Sequence, residues 1–193
     1  MDIIKKNNPQ YDDNKLAEMR YGVEGLYLEL TKLFVITLLA IIFQIFNEYI
    51  LVLLLFNVIR FTAFGIHATK SIYCWISSTI TFIGMPLLCK YLILSTNVRI
   101  IISVICILIF LFHAPSDTPK RPLIKKKKRV IYKLTTVFIS LIYTICVIKI
   151  NTNYVHNAFL ASMIIQSVLI HPLTYKLFRI PYNNYKTYVS SKN

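Results

Sequence analysis

The segment Arg60-Phe-Thr-Ala-Phe-Gly65-Ile-His67-Ala-Thr-Lys-Ser71-Ile-Tyr-Cys74 is a short polar interruption between two apolar runs. It brings an arginine, a glycine, a histidine and a cysteine into one stretch of chain. A thiol and an imidazole are the smallest pair that supports nucleophilic catalysis by cysteine, because the base helps to form the attacking thiolate. We call residues 60–74 the central segment, and the rest of the chain can be interpreted as a frame that holds it.

The composition indicates a membrane protein. The chain has 193 residues, 56% of them hydrophobic, and a formal net charge of +14, with a mean hydropathy of +0.59. Long apolar runs exclude an ordinary soluble core, and a positive excess is typical of cytoplasmic membrane-protein loops. We therefore predict an all-α, polytopic membrane protein in which residues 1–193 form one domain.

Acidic residues are scarce after the N-terminal quarter of the chain. Beyond Glu48, only Asp117 follows. Reactions that need paired carboxylates, or several acidic ligands for magnesium, therefore have almost nothing to use there. This argues against a membrane phosphotransferase.

Residues 1–30 are predicted to contain an amphipathic helix at the cytoplasmic face of the membrane. Apolar residues recur there at spacings of three and four, the period of one helix face: Leu16, Met19, Val23, Leu26, Tyr27 and Leu30. Packing against the membrane surface and packing against the protein's own cytoplasmic side are equally compatible with this pattern.

The remaining apolar runs predict about six transmembrane or re-entrant helices. The runs cover residues 33–46, 49–59, 72–88, 100–112, 134–150 and 154–170. The first two runs are short for spans, which need about 20 residues. They form either two thin spans that turn at Asn47-Glu48 or one span and a re-entrant piece, and we favour the hairpin. Gly84 and Pro86 are expected to bend the third crossing.

Charge asymmetry predicts the orientation. Residues 113–133 form a basic loop, and six crossings place all lysines and arginines on one side except Lys90, Arg99 and Lys149. Because basic loops stay in the cytoplasm, both termini and the central segment are expected at the cytoplasmic face of a cell membrane.

The spacing of His67 and Cys74 requires a break in the helix. On one straight helix they would lie about 10.5 Å apart along the axis, too far for a direct contact. We therefore expect His67 on a loop or kinked turn near Gly65, and Cys74 near the start of the third crossing, with Thr69 or Ser71 as the cap. The helix N-terminus and a cation such as Lys70 or Arg60 would favour the thiolate.

A group that orients the histidine is harder to identify. Asn57 and Ser71 are the nearby polar candidates for this role. Arg60 could orient the backbone, hold a substrate carboxylate or contact a lipid phosphate, and the sequence does not choose among these roles.

The pattern R-x4-G-x-H-x6-C, formed by Arg60, Gly65, His67 and Cys74, resembles the signature of the AgrB family. Members of this family are membrane cysteine endopeptidases of bacterial peptide quorum sensing. The stretches 21–24 (Tyr-Gly-Val-Glu) and 113–119 (His-Ala-Pro-Ser-Asp-Thr-Pro) are also similar. The resemblance implies that Cys74 is the nucleophile and His67 the general base. One departure is Phe64, where many members have a second glycine.

The resemblance also implies a substrate and a product. The substrate would be an AgrD-like propeptide in the bacterial cell membrane, cleaved through an acyl-thioester on Cys74. A cysteine of the propeptide would then close a thiolactone ring. Membrane lipids are the other expected partners, whereas no cofactor, metal ion or nucleic acid is expected. The oligomeric state is left open, a homodimer included.

Two other classes of protein are compatible with parts of the sequence. One is a non-enzymatic membrane transporter component or scaffold. The other is a metal enzyme that uses the four histidines, but the sequence has no HExxH motif and the topology places His156 on the outer side. We expect the basic run 125–129 to contact anionic lipid headgroups or fix orientation, rather than bind nucleic acid.

Overall fold

The computed structural model describes residues 12–66, 71–118 and 123–186, and this part of the chain is helical. The helices are α1 (Asp13–Ile42), α2 (Phe46–Ala63), α3 (Ser71–Thr79), α4 (Met85–Tyr91), α5 (Thr96–His113), α6 (Lys126–Lys149), α7 (Asn153–Ile170) and α8 (Pro172–Leu177). A π-helical turn, Ile80–Gly84, joins α3 to α4. The described ranges contain no strand, and Phe64 and Ser116 form an isolated bridge.

Five helical stretches are long and apolar enough to cross a membrane: Gly22–Ile42, Phe46–Ala63, Ile72–Tyr91, Thr96–His113 and Lys126–Lys149. Most residues of each stretch face outward from the bundle, and large apolar side chains cover these outer surfaces. In water such surfaces would be unfavourable, whereas in lipid they need no cover. The predicted all-α, polytopic membrane fold is confirmed.

Helix α7 lies in the middle of the bundle. It packs against α2, α4, α5 and α6, and most of its residues are buried, including the polar Asn157, Ser162 and Gln166. Because α7 is surrounded by protein rather than lipid, its polar side chains can bond to neighbouring helices. Asn157, for example, donates to the carbonyls of Cys89 and Leu92 at 3.1 and 2.7 Å.

The N-terminal region differs from the expected arrangement in two respects. The amphipathic stretch and the first apolar run form one continuous helix, α1, rather than two elements. The chain then turns at residues 43–45, where Gln44 has a φ of +55°. Asn47 and Glu48 lie in the first turn of α2 instead of forming the turn. A carboxylate in a first helical turn is favourable because the N-terminal end of a helix is positive.

The third crossing is irregular where the sequence predicts a bend. The π-helical turn Ile80–Gly84 comes directly before the first residues of α4, among them Pro86. A proline cannot donate a hydrogen bond to the carbonyl four residues earlier, and its ring crowds that carbonyl. A wider turn accommodates both effects without ending the helix.

The basic loop is shorter than expected. Helix α6 begins at Lys126, so the run Lys126-Lys-Lys-Arg129 forms its first turn rather than part of a loop over residues 113–133. Cations are unfavourable at a helix N-terminus. The apolar residues that follow stabilise the helix by packing and by contact with lipid. The basic first turn is an extension of the same helix beyond its apolar part.

The loops gather at two opposite ends of the bundle. At one end, Gly65 N donates to Ser116 O at 2.9 Å and Ile66 N donates to Leu169 O at 3.2 Å. At the other end, Lys90 Nζ donates to Gln44 O at 2.7 Å. The central segment, the segment 113–118 and the end of α7 therefore share one end, which we call the central-segment end.

Candidate active site

Cys74 is the fourth residue of α3, as expected for a thiol near the start of the third crossing. It is half-buried, and Lys32 Nζ of α1 donates to its Sγ at 3.5 Å. A cavity of about 20 Å³ lies beside the thiol and is lined by Leu28, Lys32, Cys74 and Trp75. This volume is close to that of one water molecule. The thiol therefore lies in a small apolar cleft between α1 and α3, in contact with the ammonium group of Lys32.

The side chain of Lys32 is only 12% exposed. Its Nζ also donates to Glu29 Oε1 at 2.7 Å, within the same helix. An ammonium group that is largely removed from water needs partners for its N–H groups, because an unpaired buried charge is very unfavourable. The structure provides Glu29 on the solvent side and Cys74 on the inner side.

Arg60 binds the backbone of the central segment. Its Nη1 donates to Phe64 O at 2.9 Å and its Nη2 donates to Ile66 O at 2.6 Å. Gln166 Nε2 donates to the same Phe64 carbonyl at 2.7 Å. Of the three roles left open for Arg60, the contacts in the described part of the chain correspond to orientation of the backbone.

Phe64 and Gly65 have backbone conformations that favour glycine. The φ angles are +59° at Phe64 and +111° at Gly65. A Cβ atom added at Gly65 would lie 2.7 Å from Arg60 Nη1 and 3.0 Å from Leu169 O. Phe64 adopts its strained conformation directly before Gly65, and its ring packs edge-on against the Tyr132 ring with the two centroids 5.2 Å apart.

The predicted partners of Cys74 have different outcomes. His67, Thr69 and Lys70 lie outside the described residues, so the imidazole remains a prediction. Ser71 is the first residue of α3. Asn57 donates to its own helix, to Leu53 O at 2.7 Å, on an exposed face of α2.

The segment after α5 is bonded directly to the central segment. Ser116 N donates to Ala63 O at 3.0 Å, and Ser116 O accepts from Gly65 N. Ser116 Oγ donates to the Ile170 carbonyl at 3.0 Å, at the end of α7. Tyr175 of α8 donates from its hydroxyl to the carbonyls of Ser116 and Asp117, each at 3.2 Å. Burial raises the pKa of the Tyr175 hydroxyl, so it keeps its proton and remains a donor.

Asp117 fastens the C-terminal region to this junction. Its side chain is 1% exposed, and Oδ2 accepts from Tyr185 N at 2.9 Å and Leu123 N at 3.3 Å. Arg129 Nη1 lies 3.7 Å from the same oxygen, and its guanidinium stacks 3.5 Å from the Tyr185 ring. The carboxylate thus joins the chain after α5, the start of α6 and the C-terminal segment.

Replacing Asp117 with asparagine should lower the unfolding free energy by about 3 kcal/mol, because it removes one charge of a buried pair and leaves Arg129 uncompensated. Thermal unfolding of the detergent-solubilised protein would measure this effect. Glu24→Gln is the matched control, since Glu24 forms an exposed pair with Arg20 that solvent screens, and its loss should leave the stability almost unchanged. Equal stability of both variants would contradict the importance assigned to Asp117.

The histidines do not come together as one set. The rings of His113 and His171 lie 5.2 Å apart, and Tyr182 Oη is 3.1 Å from His113 Nδ1. The His156 ring, in contrast, contacts Ile150 O at the opposite end of the bundle. A site that uses all four histidines is therefore incompatible with the structure.

The fold and site define a polytopic helical membrane protein with a half-buried thiol at the end where its polar segments meet. A family model described as AgrB, accessory gene regulator B, matches residues 1–170. The chain belongs to the AgrB family, and this membership supports a role in the accessory gene regulator system.

Individual relatives cover most of the chain. An AgrB-like protein of Clostridium acetobutylicum is 30% identical over 172 residues, which cover 89% of this chain and 82% of the relative. An AgrB-like protein of Listeria monocytogenes is 28% identical over 96% of this chain and 91% of the relative. Accessory gene regulator protein B of Staphylococcus aureus is 35% identical over 72% of this chain and 76% of the relative. No solved structure matches the chain significantly.

Sequence reasoning missed the residues that connect distant parts of the chain. In the sequence, Lys32 contributes only to the cytoplasmic charge count, and Gln166 lies inside the apolar run 154–170. A polar residue within such a run is a usable signal, because its presence there needs a partner. Asp117 carries a similar signal as the only acidic residue after Glu48.

Proposed function

We propose that this protein is a membrane cysteine endopeptidase that cleaves an AgrD-like propeptide and releases a cyclic thiolactone peptide for quorum sensing. Cys74 is the proposed nucleophile and His67 the proposed general base. The observation that carries the proposal is the Cys74 thiol, which lies in the first turns of α3, half-buried, with Lys32 Nζ at 3.5 Å.

In the first step, His67 takes the proton from Cys74, and the sulfur attacks the scissile carbonyl carbon. The tetrahedral intermediate collapses, the C–N bond breaks, and the imidazolium returns the proton to the leaving amine. The products of this step are an acyl-thioester on Cys74 and the released C-terminal part of the propeptide.

In the second step, a cysteine thiol within the propeptide attacks the thioester carbonyl. The new C–S bond closes the thiolactone ring, the bond to Cys74 Sγ breaks, and the thiol proton passes to Cys74. One thioester replaces another, so no water is consumed and water must be kept away from the intermediate. The small apolar cleft beside Cys74 supports such protection.

The location of the site supports a substrate that approaches along the membrane. Cys74 lies at the start of a helix long and apolar enough to cross a membrane, so an amphipathic peptide on the surface could reach it. We place this end at the cytoplasmic face, because the basic first turn of α6 lies after the segment 113–118 that bonds to the central segment.

The test is co-expression with a neighbouring small propeptide gene, followed by mass spectrometry of the intact membrane protein. We expect an adduct whose mass equals the N-terminal part of the propeptide, localised to the Cys74 peptide and released by hydroxylamine, which cleaves thioesters. Replacing the propeptide's own cysteine with alanine should increase the adduct, because the second step is blocked. An adduct on another residue, or cleavage without any adduct, would contradict the mechanism.

A further inference from the structure

We propose that Lys32 is a positioning residue for the cysteine chemistry: its ammonium group, held by Glu29, fixes the Cys74 sulfur and compensates the negative charge of its thiolate. This inference rests on the proposed function, because it assigns a role to a residue next to the proposed nucleophile. It adds a contribution from α1, outside the central segment.

The placement of the ammonium group is costly and therefore informative. Lys32 lies within the stretch Gly22–Ile42 of α1, which is long and apolar enough to cross a membrane, and its side chain is 12% exposed. A lysine in this position can extend its long side chain towards water, where the charge is well solvated. Instead, Nζ lies in the cleft with Leu28 and Trp75 and donates to Cys74 Sγ. An ionisable group kept in such surroundings is more often functional than structural.

Glu29 accounts for the orientation of the lysine. Its carboxylate is 67% exposed and accepts from Lys32 Nζ at 2.7 Å. It therefore holds the ammonium group from the solvent side at little desolvation cost, and leaves the other N–H groups of Nζ directed to the cleft. The exposed carboxylate compensates only part of the charge, so a second anion on the inner side is favourable. The Cys74 thiolate would be that anion.

Other cations do not take this role in the described part of the chain. Arg60 is engaged with the carbonyls of Phe64 and Ile66. Lys90 is bonded to Gln44 O at the opposite end of the bundle. Within residues 12–66, 71–118 and 123–186, Lys32 is the cation that contacts Cys74 Sγ. The contact also joins α1 to α3, so the position of α1 affects the sulfur directly.

The experiment compares Lys32→Met, which removes the charge, with Lys32→Arg, which keeps it. Iodoacetamide alkylation of the full-length protein in native membranes is followed at pH 7 by mass spectrometry of the Cys74 peptide. We expect Lys32→Met to slow alkylation about tenfold, because the thiolate loses a hydrogen bond from a charged donor. Lys32→Arg should recover the wild-type rate within about threefold, since the charge is retained. Lys90→Met is the matched control and should alkylate at the wild-type rate.

Peptide processing is measured in the same variants. We expect Lys32→Met to lower kcat with little change in KM, because the contact acts on the nucleophile rather than on substrate binding. If Lys32→Met is poorly folded, Lys32→Gln replaces it, because glutamine also lacks the charge but keeps a polar end, and the same slower alkylation is expected.

Two results would overturn the inference. The first is wild-type alkylation in Lys32→Met, or in Lys32→Gln when the Met variant does not fold. The second is an equal loss in the Met and Arg variants together with lowered thermal stability. A thioester adduct on Cys74 that forms normally in Lys32→Met would reject the role of Lys32 but leave the proposed function intact. Absence of the adduct in the wild-type protein would instead reject the proposed function.

Discussion

Replacing Cys74 with alanine is expected to abolish the release of processed peptide, with a loss of at least about 10³-fold in rate. Alanine has no nucleophilic group, so the acyl-thioester cannot form. The general base then has no thiol from which to take a proton. The substitution should leave the fold intact, because Cys74 is half-buried and lies within α3, where alanine is a strong helix former. Mass spectrometry of the propeptide incubated with reconstituted vesicles measures the effect.

Cys146→Ala is the matched control for this experiment. Cys146 is also a free, half-buried thiol within a helix, α6, but it lies outside the central-segment end of the bundle. The control should process the propeptide at the wild-type rate. Peptide release by Cys74→Ala at the wild-type rate would reject the endopeptidase proposal and favour a non-enzymatic transporter component or scaffold.

The second large effect is expected from Gly65→Ala. A side chain at a φ of +111° is strained, and the added Cβ would lie 2.7 Å from Arg60 Nη1 and 3.0 Å from the Leu169 carbonyl oxygen. The guanidinium can move, but only by breaking its bond to Phe64 O, and the backbone carbonyl cannot move freely. We expect a loss of about 1 to 3 kcal/mol in unfolding free energy, and a larger loss of processing activity because the segment that leads to His67 is displaced.

Gly25→Ala provides the control for this prediction. Gly25 lies in helix α1, where a Cβ would meet nothing within 4 Å. Alanine should raise the stability of this helix by up to about 1 kcal/mol, since glycine is a poor helix former. Thermal unfolding of both variants in detergent, together with their processing rates, separates the two effects. A Gly65→Ala variant as stable and active as Gly25→Ala would show that the tight turn is not required.

The helices could be predicted well because each depends on a local signal. Apolar runs of membrane-spanning length mark them, and Pro86 marks the irregular turn. The position of the first turn could not be predicted, because Asn47 and Glu48 are polar residues that suit both a turn and a first helical turn. Packing of the flanking helices decides between these alternatives, and the sequence does not contain that information locally.

The candidate site was predictable only in part. The type and spacing of residues in the central segment predicted that Cys74 lies near the start of a helix, and the structure has it there. The Lys32 contact joins residues 42 positions apart, so no local pattern could show it. The sequence also leaves the role of Arg60 open. Its partners are backbone carbonyl groups, which every residue has, so no side-chain pattern marks them.

The hydrogen bonds of Asp117 and Tyr175 affect how the protein should be cloned. The match to the family model ends at residue 170, so an expression boundary chosen from that match alone would remove Tyr175, Asn184 and Tyr185. The Ser116 and Asp117 carbonyls would then lose donors, as would the Asp117 carboxylate. An expressed protein should therefore keep the chain through residue 186, and a protein trimmed at Ile170 is expected to unfold at a lower temperature.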